Sequence, residues 1–178
     1  MKRTQLKGVK KLEKKINKAF RDALYPIGDL PKMYAGTDFV YHTLSEEITF
    51  GLAVTEASDR LWKKWLLDNF NLKATNIFVL SILHELGHWY TLDSISEEDY
   101  EHCIEQKLEI EQQLDAARPH SKDWNEIYSS YWDLTDEYMA TEWAVDWIET
   151  NPEAAKTLCN KCNKALAEFF LKNEVIDE

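Results

Sequence analysis

Cysteine is scarce in this 178-residue chain: three residues, an odd number, at positions 103, 159 and 162. Such a set makes no disulfide framework and points to a reducing compartment. Long apolar runs are missing. None approaches the roughly twenty residues of a membrane span, and the basic residues after Met1 lead into no apolar signal core. A cytoplasmic protein is therefore expected. Positive charge is in deficit too: 21 Lys and Arg against 32 Asp and Glu leave a net charge of −11. That balance argues against a general affinity for nucleic acid or an anionic membrane and fits a soluble protein or one whose partner is basic. Repeats and low-complexity tracts are lacking, so a single domain over 1–178 is expected, large enough to bury a core without staples. Tryptophan and tyrosine, by contrast, number seven and eight and favour an aromatic-rich interior.

Local patterning follows from where the apolar residues fall. Leu6, Val9, Leu12, Ile16, Phe20 and Leu24 recur at steps of three or four among Lys7, Lys10, Lys11, Lys14, Lys15, Lys18 and Arg21. This predicts a basic amphipathic helix over about 4–24, ended by Pro26, Gly28 and Pro31. Between Thr37 and Val54 the period shortens to two, with Phe39 and Tyr41, then Ile48, Phe50 and Leu52, alternating with their neighbours. Two antiparallel strands joined around Ser45-Glu46-Glu47 are the natural reading, and no other stretch carries a sheet signal. Helical periodicity then returns. One helix carries Leu61, Trp62, Trp65 and Leu66 on one face, and a second runs from near Thr75 to Tyr90. A third opens at the Ser96 cap and reaches Arg118 before Pro119. Shorter helices are expected around Trp124–Trp132 and from about Thr135 to Glu149, and Asn151-Pro152 opens the last. The expected fold class is α+β, mostly α-helical, with one small antiparallel sheet.

The chemistry concentrates in His84-Glu85-Leu86-Gly87-His88. Residues four apart on a helix share a face, so His84 and His88 present two imidazoles to one point, as a Zn²⁺ site requires. Glu85 sits where it can reach a metal-bound water. The helix is apolar on nearly every side, from Ile77-Phe78-Val79-Leu80 to Trp89 and Tyr90, and so belongs in a core. Histidines and a glutamate there are costly unless something such as a metal satisfies them.

Two histidines leave a catalytic zinc short of its usual third protein ligand. A third histidine six residues after His88 is absent, since Ser94 stands there. A glutamate from a later helix is the alternative, and Glu137 and Glu142 both qualify. Glu137 shares its face with the small residues Ala140, Thr141 and Ala144, which would let that helix approach Gly87 closely. Glu142 has bulkier neighbours, but Asp146 one turn below it suits the orienting of a bound histidine.

His84-Glu85-Leu86-Gly87-His88 together with Glu137-Tyr138-Met139-Ala140-Thr141-Glu142-Trp143-Ala144 resembles the ImmA/IrrE-type zinc metallopeptidases, a minimal gluzincin family. The resemblance covers about 84–90 and 137–147. It implies a zincin-like fold with the small sheet beside the motif helix, His84, His88 and Glu137 as zinc ligands, and Glu85 as catalytic base. Members of the family are often encoded by bacteria, mobile elements and phages, and several cut repressor-like proteins. This chain departs from the pattern in its 49-residue step from His88 to Glu137, which accommodates an acidic helix over 97–117, and in having no proline before Pro152 after the aromatic-alanine pair.

The function implied is zinc-dependent hydrolysis of a peptide bond in a narrow, protein substrate, with Glu85 as general base and the cation polarising the carbonyl. His120, Tyr128 and Tyr131 are donors that could steady a developing oxyanion, and an extended substrate could pair with the edge of the 37–54 hairpin. The alternative is a metal-binding, non-catalytic regulatory or anti-host protein that works through an acidic surface. A zinc deaminase would need a P-C-x-x-C element, which is lacking. Cys159-Asn160-Lys161-Cys162 stands alone and reads as core packing, as does Cys103. His42 and His102 read as isolated. The stripe Glu97, Glu101, Glu105 and Glu109 is expected to face solvent or to meet the basic N-terminal helix.

Overall fold

Residues 8–52, 56–72 and 76–173 are described by a computed structural model; Leu6, Lys7, Val54 and Thr75 lie outside them. In chain order the elements are α1 (Val9–Ala23), β1 (Lys32–Gly36), β2 (Val40–His42) and β3 (Glu47–Gly51). The helices α2 (Glu56–Phe70), α3 (Ile77–Thr91), α4 (Glu97–Ala116), α5 (Lys122–Tyr131), α6 (Thr135–Thr150) and α7 (Pro152–Asn173) follow. The fold is α+β and mostly helical. Its residues group into two compact units, 1–52 with 148–178 and 53–147.

In the first unit α1 packs on α7 and on β1. Leu12, Ile16, Phe20, Met33, Ile48, Phe50, Leu158 and Phe169 are buried, so the three-to-four spacing of α1 and the alternation of β3 both point inward. Two ion pairs join α1 to α7: the α1 cation Lys15 with Glu168, and the α1 acid Asp22 with Lys161 at 3.0 Å. In α7 the inward stripe includes Ala165, while Leu166 is only half-buried. Burial pushes the Cys162 thiol up to about 12, and the half-buried Cys159 thiol is pushed up for the same reason. Both are protonated at neutral pH, as packing residues are.

The sheet corrects one expectation. β2 and β3 form the antiparallel hairpin, with Val40 opposite Thr49 and His42 opposite Glu47. However, β1 pairs in parallel with β3, from Lys32–Glu47 to Gly36–Gly51, so the sheet is mixed and ordered β1-β3-β2. β1 has one buried side chain, Met33, too few for a period of two to show. Its outer edge is covered by α1. Asn17 donates to the Met33 carbonyl at 2.7 Å and accepts from the Met33 N–H at 3.0 Å, and Glu13 accepts from the Ala35 N–H at 3.1 Å. A helix thus supplies the partners that a further strand would, which blunts the edge.

The second unit is helical. Trp65 is its aromatic hub, with its ring 5.5 Å from Phe70, 6.0 Å from Trp132 and 6.1 Å from Tyr138. Its indole N–H donates to Asp133 at 2.8 Å, so the polar tip is satisfied. α4 starts as its sequence specifies, the Ser96 hydroxyl accepting from the Asp99 N–H at 3.1 Å. Glu97, Glu101, Glu105 and Glu109 are all exposed, whereas Cys103 and Ile110 are buried on the opposite face. Among the described residues no helix is long and apolar enough to cross a membrane.

Candidate metal centre

The centre lies wholly within the second unit and is built on α3. Asn76 caps this helix, its side chain accepting from the Val79 N–H at 3.1 Å. Every residue from Val79 to Gly87 is buried, as an all-round apolar helix requires, and that burial carries His84 and Glu85 to 7% and 8% exposure. α6 lies against α3 through its small-residue face: Glu137, Ala140, Thr141 and Ala144 are all buried. A Cβ placed on Gly87 would lie 2.8 Å from Ala140 Cα and 2.9 Å from Ala140 C, so only glycine permits this approach.

The close approach delivers Glu137 to the histidines. His84 Nε2 lies 3.0 Å from Glu137 Oε2 and 3.1 Å from His88 Nε2, and His88 Nε2 lies 3.5 Å from Glu137 Oε2. The three donor atoms form a triangle that converges on one point. A tetrahedral cation with ligand bonds of about 2.0–2.1 Å sets its ligand atoms about 3.3 Å apart, which the triangle matches. Two imidazole nitrogens and a carboxylate oxygen this close repel one another unless a proton or a cation stands among them. His84, His88 and Glu137 therefore form a buried group that fits a metal ion. Glu142 and Asp146 are exposed.

Several side chains hold the group in place, and only some of them are apparent in the sequence. The Thr141 hydroxyl is 2.9 Å from His84 Nδ1. With Nδ1–H donating there, the Nε2 lone pair would be free for a cation; without a cation, Nε2–H donates to Glu137 instead. Thr141 stands one turn after Glu137, so i,i+4 spacing could have revealed it. The Trp62 indole meets the His84 ring edge-on at 5.7 Å. Lys107 Nζ lies 2.6 Å from Glu137 Oε1 and 2.5 Å from Asp136 Oδ2. Lys107 is the only lysine or arginine between 97 and 117, a composition signal in itself.

Burial pushes the Glu137 carboxyl up, but hydrogen bonds from His84 and His88 outweigh it and hold the group well below the usual carboxylate range. Burial likewise pulls Lys107 down, yet the charges of Glu137 and Asp136 prevail and raise it. Burial raises the Tyr131 phenol, and the Glu137 charge, a hydrogen bond to Glu137 and the Glu85 charge add to that effect. Tyr131 is thus the one suggested donor that borders the group. Tyr128 stacks on Trp124 at 4.8 Å, and the exposed His120 meets the same indole at 5.3 Å. Comparison with family models, curated proteins and solved structures gives no match to this chain.

Proposed function

We propose that the protein is a zinc metallopeptidase that hydrolyses a peptide bond in a protein or peptide substrate. The observation that carries this reading is the convergence of His84 Nε2, His88 Nε2 and Glu137 Oε2 at 3.0–3.5 Å, with Glu85 buried on the same helix. Two imidazoles and one carboxylate, without a thiolate, are a donor set that suits zinc and leaves a fourth position open. The motif's resemblance to the ImmA/IrrE-type enzymes supports the same assignment.

When bound, the cation supplies Lewis acidity to a substrate carbonyl and makes water acidic enough to attack near neutral pH. The chain's own residues do the rest. Glu85 takes the proton of the attacking water and returns it to the leaving amine. Thr141 fixes the orientation of His84, and Trp62 closes one side of its ring. Burial excludes bulk water, which strengthens every charge interaction within the centre.

Glu85→Gln against wild type is the test. The variant is expected to bind zinc stoichiometrically and to lose cleavage of a substrate that wild type cuts, whereas His84→Ala loses the metal. Cleavage by Glu85→Gln at the wild-type rate would rule this mechanism out.

A further inference from the structure

Helix α4 lies in the span between the two halves of the centre, with an exposed acidic stripe on one face and Cys103 and Ile110 buried on the other. Lys107 also turns inward. Lys107 contacts Glu137 and Asp136, whose side chains are only 5% and 6% exposed. The two oxygens of the Glu137 carboxylate are thereby divided: Oε1 goes to the Lys107 ammonium at 2.6 Å, and Oε2 to the imidazoles of His84 and His88.

We propose that Lys107 is a positioning residue that commits Glu137 to bind metal through Oε2 alone. The inference rests on the metal-centre reading above. A carboxylate that chelated a cation through both oxygens would share Oε1 between the cation and the half-buried Lys107 ammonium, weakening that ion pair. Holding Oε1 therefore keeps the cation at three protein ligand atoms and preserves an open position for substrate or water. Through this side chain α4 is part of the centre.

The experiment is cobalt substitution of wild type and Lys107→Met, with far-UV circular dichroism to verify folding. Four-coordinate cobalt(II) absorbs intensely in the visible, and five-coordinate cobalt(II) weakly. Wild type is expected to give the intense bands. Lys107→Met, with Oε1 released to chelate, is expected to show a several-fold loss of intensity. Equal intensity in the two proteins overturns the proposal, and so does a weak five-coordinate spectrum from wild type. The wild-type spectrum alone decides if Lys107→Met does not fold. Failure of wild type to bind cobalt at all would instead remove the metal reading on which the proposal stands.

Discussion

Replacing Gly87 with alanine adds one methyl group at a position where helix propensity alone would reward it. In an unobstructed helix interior the exchange gains about 1 kcal/mol. Here the new carbon would lie 2.8 and 2.9 Å from Ala140 Cα and C. Relaxed carbon contacts need about 3.5–4.0 Å, so α3 and α6 must separate locally by about 0.6–1.2 Å. Overpacking of this kind costs about 1–3 kcal/mol, toward the upper end when the obstacle is backbone and cannot swing aside. The metal-free protein should therefore lose about 1–2 kcal/mol, the opposite sign to propensity, read from urea unfolding at neutral pH. The larger effect falls on the metal. Glu137 precedes Ala140 by three residues on the same buried face of α6 and moves with it. Metal–ligand bonds tolerate only about 0.2 Å of error, so zinc affinity should fall at least about tenfold in competition with a chromophoric chelator. Ala140→Gly should not rescue the variant, because the obstructing atoms are main chain. A Gly87→Ala protein that is more stable than wild type and binds zinc as tightly would refute the close approach of α3 and α6.

Further outcomes can be checked on the same protein. Thr141→Val keeps the volume but leaves His84 Nδ1–H buried without a partner; a loss of about 1–3 kcal/mol in stability and of about 10–100-fold in zinc affinity is expected, and unchanged affinity would show that Thr141 does not orient the ring. Zinc at about 100 times its dissociation constant should add about 2.7 kcal/mol to unfolding stability, reversed by a chelator and absent in His84→Ala; a melting temperature indifferent to zinc would refute this. Hydrogen bonds from Lys161 and Lys18 lower the Asp22 carboxyl below 3.8, and a hydrogen bond from Lys15 lowers the Glu168 carboxyl below 4.5. Because the folded values lie below the ordinary ones, the stability these pairs contribute is complete above those ordinary values and is lost as pH falls through the depressed ones. Asp22→Asn with Glu168→Gln should thus be less stable than wild type at pH 7, with the gap closing at the acid end; a gap independent of pH would show that the ion pairs contribute nothing.

Much of the helical pattern was legible because it is local. The Ser96 cap, the Asn151-Pro152 start and the three-to-four spacing of Leu12, Ile16 and Phe20 each act within a turn or two, where short-range sterics and burial decide the backbone. β1 leaves no signature in the sequence because a five-residue strand with one buried side chain has no period to show, and its pairing with β3 and α1 is made by backbone and by Asn17, not by hydrophobic alternation. The motif His84–His88 is local as well: one turn of helix aligns the two imidazoles wherever it occurs.

From sequence alone came the two histidines, the buried character of their helix and a preference for Glu137 over Glu142 as third ligand. Tertiary structure decided which carboxylate reaches them, since that depends on how closely two helices pack across Gly87 and Ala140, 53 residues apart. It also decided that a threonine and a lysine surround the ligands. Neither can be read from spacing to His84, because Thr141 and Lys107 meet the centre only after separate helices have docked, and the energy that docks them resides in surfaces the linear order does not display.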